Sequence, residues 1–203
     1  MIRILVSIAL CAWAAPASAG PTRLSMRWVN GENIHLAGQG GAINRHAEIK
    51  LELELQAGGK LRVTDTGTTS EHNLYETYST TEESSWTNTW KGAWATRGST
   101  LELQLVLDAR TCTRTKRATG AATKTLPCAN VSKQVQLTCT TEQISVEDPT
   151  GAARKPTQHA AWRCTPAAAA DLAETPSNWV LGKTTCLQTT GGHGGPLYQR
   201  CKP

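Results

Sequence analysis

The chain of 203 residues contains no phenylalanine and only three tyrosines, so its seven tryptophans dominate its aromatic content. It also lacks the short motifs of common enzyme sites. There is no H-E-x-x-H zinc motif, no G-x-S-x-G nucleophile turn, no P-loop and no Rossmann fingerprint. The glycine-rich residues 38–41 are not followed by the helix and lysine of a phosphate-binding loop. These absences favour a non-catalytic protein, although a catalytic site assembled from distant strands would leave no local motif.

Local clusters of metal-binding or proton-transferring side chains are also missing. The five histidines are scattered along the chain at His35, His46, His72, His159 and His193. His193 stands in the run GGHGG, which is typical of a turn. Glu82 and Glu83 are adjacent, so on a strand they would point to opposite faces. We therefore predict no catalytic residue, no metal and no cofactor.

The charge balance does not indicate a nucleic-acid partner. The net charge is +5 at pH 7, and no long basic run concentrates it. The densest basic stretch contains Arg110, Arg114 and Lys116, which we interpret as the solvated face of a strand.

The N-terminus has the three parts of a secretory signal peptide. Arg3 supplies the positive region, residues 4–15 are apolar, and Ala17-Ser18-Ala19 is a cleavage motif. Cleavage after Ala19 would leave residues 20–203 as a single domain. Since no other apolar run approaches the length of a membrane span, we predict a secreted or periplasmic protein without stable membrane insertion.

Six cysteines follow the predicted signal peptide, and all are in the second half of the chain: Cys112, Cys128, Cys139, Cys164, Cys186 and Cys201. An even number in an exported chain predicts three disulfides. No two of them have the close spacing of zinc ligands. The first half must therefore be held together by packing alone.

Two-residue alternation of apolar and polar side chains predicts strands along most of the chain. In the first clear hairpin, a loop at residues 57–59 pairs Leu55 with Leu61 on one face and Glu54 with Arg62 on the other. Both faces thus agree on one register.

A second hairpin is predicted by the leucines at positions 101, 103, 105 and 107. Folding the chain about Gly120 pairs Leu105 with Val135 and places Cys112 opposite Cys128. Continued alternation would keep the odd positions 109–115 on the leucine face and Arg110, Arg114 and Lys116 on the other.

The C-terminal region predicts a third hairpin, folded about His193 and Gly194, which pairs Cys186 with Cys201. Elimination then pairs Cys139 with Cys164. Ile144 and Val146 are out of parity with Leu137, and a bulge near residues 140–143 would misplace this pair.

One short helix is predicted near residues 166–174. Thr165 would be its N-cap, Pro166 its first residue and Pro176 its stop.

The resulting pattern is all-β, with eight to ten strands joined mostly by short turns. Such an antiparallel meander closes most simply as an up-and-down barrel, with a β-sandwich as the alternative. This arrangement resembles the lipocalin family in architecture only, because residues 23–41 do not supply that family's motifs.

The tryptophans at positions 86, 90 and 94 lie on one face of the predicted fourth strand. If the following turn is Arg97-Gly98, Trp94 faces Leu101 and Trp90 faces Leu105, which makes the tryptophans part of the core. A turn longer by one residue would place them outside.

Our leading hypothesis is a non-catalytic barrel that binds a small apolar or aromatic ligand in an interior lined by tryptophan and leucine. The candidate ligand-binding residues are Trp86, Trp90, Trp94, Tyr75 and Tyr78, and the tyrosines are expected on the preceding strand. Buried indole N–H groups would need partners, either polar side chains or the ligand. The alternatives are a surface that recognises glycans or a protein, and a hydrolase with an unfamiliar site. The ligand's identity and the oligomeric state are left open by the sequence.

Overall fold

A computed structural model describes residues 21–36, 40–147, 155–166 and 179–182, and the backbone of residues 187–191 and 197–200. The predicted signal peptide, Cys186, Cys201 and residues 167–174 of the predicted helix lie outside these ranges. Pro166, predicted to start that helix, is instead the last residue of a strand. In the described residues, no helix is long and apolar enough to cross a membrane.

The all-β prediction is confirmed. The described residues form eleven strands of one sheet, without an α-helix. The strands are β1 (Thr22–Leu36), β2 (Gly41–Leu55), β3 (Lys60–Leu74), β4 (Ser79–Arg97), β5 (Thr100–Ala118), β6 (Lys124–Thr125), β7 (Gln134–Glu147), β8 (Thr157–Pro166), β9 (Trp179–Gly182), β10 (Leu187–Gly191) and β11 (Leu197–Arg200).

Eight of these strands form a ring. Antiparallel pairings run from β1 to β5 in order, continue through β7, β8 and β9, and return to β1 where Ser25 faces Gly182. Strands β10 and β11 pair with each other, and add parallel contacts to β1 and β7 respectively. The first five strands are the predicted meander.

The first predicted hairpin is confirmed in its register. Leu55 faces Leu61 and Glu54 faces Arg62. The connection is a 3-10 turn at Ala57–Gly59, and both of its glycines have positive φ, which side chains other than glycine rarely adopt.

The turn between β4 and β5 is one residue later than predicted. It consists of Gly98 and Ser99, so Trp94 faces Leu103 and not Leu101. Gly98 has positive φ, as a two-residue hairpin turn requires at its first central residue. The partners shift by two positions, so the tryptophans remain on the leucine face. The prediction of the face is confirmed, and the predicted partners are wrong.

A β-bulge at Asp108 reverses the faces of the second half of β5. Trp90 faces Leu107, whereas the next residue back, Thr89, faces Ala109. One extra residue on β5 turns every later side chain to the opposite face. Arg110 and Arg114 therefore share the face of the tryptophans, and the prediction that they lie on the opposite, solvated face is wrong.

Two of the three predicted disulfides are confirmed, Cys112–Cys128 and Cys139–Cys164. Strand β7 pairs with β8 in one unbroken register from Leu137 to Val146, so the expected bulge near residues 140–143 is absent.

The parity change of Ile144 and Val146 has a different cause. Both are buried in a second cluster with Ala161 and Val180, separate from the main core.

The third pair, Cys186 and Cys201, lies outside the described residues. The backbone register that predicts it is present, because Leu187 faces Arg200. We expect non-reducing peptide mapping to recover a Cys186–Cys201 peptide together with the two confirmed pairs. Reduction should loosen the second half first, because all six of these cysteines lie there. Each disulfide closes a loop of a length for which about 3 kcal/mol of stabilisation is expected. A Cys164–Cys201 peptide would contradict this assignment.

The main core lies inside the ring. Its members come from all eight strands of the ring, and they include Leu24, Met26, Leu51, Leu53, Val63, Trp90, Leu103, Leu137, Cys164 and Trp179. We call the side of β1–β5 that carries these side chains the interior face.

Candidate functional site

A buried carboxylate organises the tryptophans on the interior face. Asp65 follows Leu61 and Val63 on the same face of β3 and is only 1 % exposed. Its Oδ1 accepts a hydrogen bond from the Trp86 indole at 2.8 Å. Its Oδ2 accepts from the Asn88 amide at 2.9 Å and from the Trp90 indole at 3.4 Å. The cluster therefore joins β3 to three side chains of β4.

The Trp86 ring fits there because β3 has a glycine opposite it. Gly67 faces Trp86, and a Cβ added at Gly67 would lie 2.1 Å from the ring. The indole thus lies directly over the backbone of β3.

The protonation of Asp65 reflects this environment. Burial raises the pKa of the Asp65 carboxyl, because the charged form loses its water. The bonds from Asn88, Trp86 and Trp90, and then the nearby charge of Arg110, act in the opposite direction. Burial is the largest of these effects.

The indole N–H groups of the predicted site are thus satisfied within the chain. Trp86 and Trp90 donate to Asp65, and half-buried Trp94 donates to the Gln56 carbonyl at 3.0 Å. Trp86 and Trp90 are 6 % and 1 % exposed, so the prediction that they belong to the core is confirmed. The three rings do not form an open flat patch.

Tyr75 and Tyr78 are not near these rings. Strand β3 ends at Leu74, so both tyrosines lie in the loop to β4 and not on the strand. Their rings stack on each other at 4.5 Å, and Tyr78 is half exposed. The structure thus separates the five predicted site residues into a buried cluster and a loop.

Beyond Trp86, toward the Tyr75–Tyr78 loop, the interior face becomes polar. Adjacent positions on β1–β5 form a first row, Asn30, Ala47, Thr69, Ser84 and Arg114. The second row consists of Glu32, Arg45, Glu71, Glu82 and Lys116. Arg114 and Lys116 are on this face because of the bulge at Asp108.

The second row is a network of ion pairs. Arg45 donates through Nε to Glu71 at 2.8 Å, and its Nη1 lies 3.5 Å from Glu32. Arg114 reaches up from the first row and donates through Nε to Glu82 at 2.7 Å. Three carboxylates thus meet three cations, the third being Lys116, 3.9 Å from Glu82.

The surroundings of Glu71 favour its charged form. Hydrogen bonds from Asn73 and Arg45 keep the pKa of Glu71 below its ordinary value. A general acid at neutral pH needs a raised pKa. Glu71 and Glu82 face each other across β3 and β4, yet Glu71 is tuned away from that role.

These rows line a groove of about 490 Å³. Most of its lining side chains belong to the interior face, among them Asn30, Arg45, Ala47, Thr69, Glu82 and Arg114. The hydroxyls of Thr69 and Ser84, both in the first row, are 2.7 Å apart. We call this cavity the polar groove. Its volume is within the range of about 300–1,000 Å³ that small-molecule sites occupy.

Among the described residues, no three His, Cys, Asp or Glu side chains are grouped so that they could hold a metal ion. Of the histidines, His46 touches the groove margin and His72 bonds Thr81.

One residue of the buried cluster, Asp65, could have been recognised from the sequence. Asp65 stands where the alternation of Leu61 and Val63 predicts a core residue. A charged residue in a core position departs from the local pattern, and such departures are expected at functional or strained sites. The groove itself had no such signal, because its charged residues come from all of the first five strands.

No protein-family model, curated protein or solved structure matches the chain.

Proposed function

We propose that the chain is an exported, non-catalytic protein with a lipocalin-like barrel that binds a small, partly apolar ligand in the polar groove. The observation that carries the proposal is the groove itself, a cavity of ligand size on the interior face. It replaces the tryptophan and leucine layer as the site, because that layer is packed and its indoles are satisfied within the chain. The two disulfides are compatible with export to an oxidising compartment.

The polar lining supports binding of a ligand that forms hydrogen bonds. Arg114 and Lys116 lie beyond the part of β5 that pairs with β7, and the charged side chains of the network are between 29 % and 51 % exposed, so a ligand can reach them. Here ten positions in two successive rows are almost entirely polar or charged. The next row toward the core contains Trp28, which packs against the main core, and the buried Trp86.

Filling the groove tests the proposal. Ala47 lies in the first row between Asn30 and Thr69, so Ala47→Leu adds volume without removing a polar group. We expect saturable binding of at least one small molecule by the wild type, and a loss of about tenfold or more in affinity in Ala47→Leu. Calorimetry with a panel of fatty acids, aromatics, saccharides and amino acids measures both.

Ala95→Leu is the matched control, because Ala95 is exposed on β4 and belongs to neither row. It should bind as the wild type does. An unchanged affinity in Ala47→Leu, or no saturable binding of any compound by the wild type, would contradict the proposal.

The second candidate is recognition of a partner through the loop between β3 and β4. Leu74 and Tyr78, which flank or belong to this loop, are 45 % and 50 % exposed. Binding that survives Ala47→Leu but disappears in Tyr78→Ala would favour this surface over the groove.

A further inference from the structure

We infer that the ligand of the polar groove is a neutral polyhydroxylated molecule of the saccharide class. The inference rests on the proposed function, and deepens it by naming the ligand's chemistry. It is carried by the charge balance of the ion-pair network, in which three carboxylates meet three cations, Arg114 of the first row included.

The carboxylates and cations of the network also contact one another directly. Arg45 joins Glu71 and Glu32, and Arg114 joins Glu82. Arg45 and Glu71 face each other on β2 and β3, whereas Arg114 faces Ser84 and reaches Glu82 diagonally across β4 and β5. Two cations and two carboxylates of these pairs line the groove, so it has no excess of either charge.

A charged ligand would be poorly matched to this arrangement. An anion would compete with Glu71 for Arg45 or with Glu82 for Arg114, and would leave a carboxylate of this face without its cation. An ammonium group would compete in the same way for the carboxylates. A zwitterion would disrupt contacts of both kinds. A bound anion would also lie beside the carboxylate that it left unpaired, and such a like-charge contact disfavours binding.

A hydroxyl group needs none of these exchanges. It donates one hydrogen bond and accepts others, so it can bond a carboxylate and a guanidinium at the same time. A guanidinium has five N–H donors and a carboxylate about four acceptor positions, so one ion pair does not exhaust either group. Neighbouring hydroxyls on a ring would match the neighbouring Arg45–Glu71 and Glu82–Arg114 pairs.

The first row fits the same chemistry. Asn30 adds an amide, which both donates and accepts, and the Thr69 and Ser84 hydroxyls border the same cavity. Ala47 supplies the one small apolar surface of that row, against which the C–H face of a sugar ring can pack.

The test compares ligands that share a ring and differ in charge. Methyl glucoside, methyl galactoside and methyl mannoside are the neutral probes, and glucuronate and glucosamine are the anionic and cationic ones. For the wild type we expect at least one neutral probe to bind about tenfold more tightly than both charged ones. Its affinity should change little with added salt, because no net charge is neutralised.

Two variants should switch this preference in opposite directions. Arg45→Gln leaves an excess carboxylate and should favour glucosamine, whereas Glu71→Gln leaves an excess cation and should favour glucuronate. The double variant Arg45→Gln/Glu71→Gln restores the balance and should again favour the neutral probe. Circular dichroism and unfolding curves establish that each variant is folded.

The outcomes separate this inference from the proposed function. If a fatty acid, an aromatic or a charged probe is the tightest ligand of the groove and is lost in Ala47→Leu, the groove is a binding site and the saccharide inference is wrong. If no compound binds at all, both fail.

Discussion

Replacing Asp65 by alanine should destabilise the protein more than any other single polar substitution on the interior face. Three N–H donors, from Trp86, Asn88 and Trp90, converge on its carboxylate. Each buried donor left without an acceptor costs about 1–3 kcal/mol, and relief of the buried charge offsets part of the total. We expect a loss of about 3 kcal/mol in the free energy of unfolding, measured by urea titration at neutral pH.

Asp65→Asn is the matched comparison. It removes the charge and keeps one acceptor oxygen for three donors, so its loss should be smaller than that of Asp65→Ala. Equal stability of Asp65→Ala and the wild type would show that the three hydrogen bonds contribute nothing net.

The pH dependence of stability tests whether the buried charge of Asp65 affects the free energy of unfolding. Because burial raises the pKa of Asp65 above its ordinary value, the folded state holds this proton more tightly than the unfolded chain does. The stabilisation that comes from the raised pKa of Asp65 is fully present below the ordinary pKa of an aspartate. It is lost as the pH rises through the raised pKa of the folded state. Glu71, with its lowered pKa, contributes in the opposite direction.

Titration of unfolding from about pH 4 to pH 8 should therefore show Asp65→Asn gaining on the wild type as the pH rises. A difference between the two proteins that does not vary with pH would contradict the assignment.

Gly67→Ala should have the second large effect. The added Cβ would lie 2.1 Å from Cζ2 of Trp86, so the ring must leave its place over β3 and its bond to Asp65 must stretch or break. We expect a loss of about 3 kcal/mol, the upper part of the usual range for overpacking a core. Urea unfolding gives the stability, and a red shift of tryptophan emission reports the displaced indole.

Gly31→Ala is its control, because Gly31 is also a strand glycine and nothing lies within 4 Å of the Cβ it would gain. It should change stability by less than about 0.5 kcal/mol. If Gly67→Ala is as stable as Gly31→Ala, the ring does not need the glycine.

The sequence predicted the parts of the fold that repeat a local pattern. The Leu55–Leu61 hairpin and the Leu105–Val135 pairing follow from alternation alone, and the structure has both. Turn residues were less informative, since Arg97-Gly98 and Gly98-Ser99 both contain the glycine that such a turn needs. Both turns place the tryptophans on the interior face, because the β5 partner of each β4 residue differs by two positions between them.

The polar groove could not be predicted for a physical reason. The bulge at Asp108 inserts one residue where both faces of β5 are already polar, so alternation after Leu107 carries no record of it. A regular strand without the bulge would place Arg114 on the outer face, where it could not bond Glu82. Arg45 and Glu71 are likewise brought together only by the pairing of β2 with β3.

The central claim is that ligands bind in the polar groove and not between the tryptophans or at the Tyr75–Tyr78 loop. The most direct measurement is a ¹H–¹⁵N NMR titration of the wild type with the tightest compound of the panel. We predict saturable shifts at Asn30, Ala47, Thr69 and Ser84, a smaller shift of the Trp86 indole N–H beneath them, and none at Trp94. Shifts confined to Tyr75 and Tyr78, or an absence of shifts on the interior face at saturation, would contradict the account.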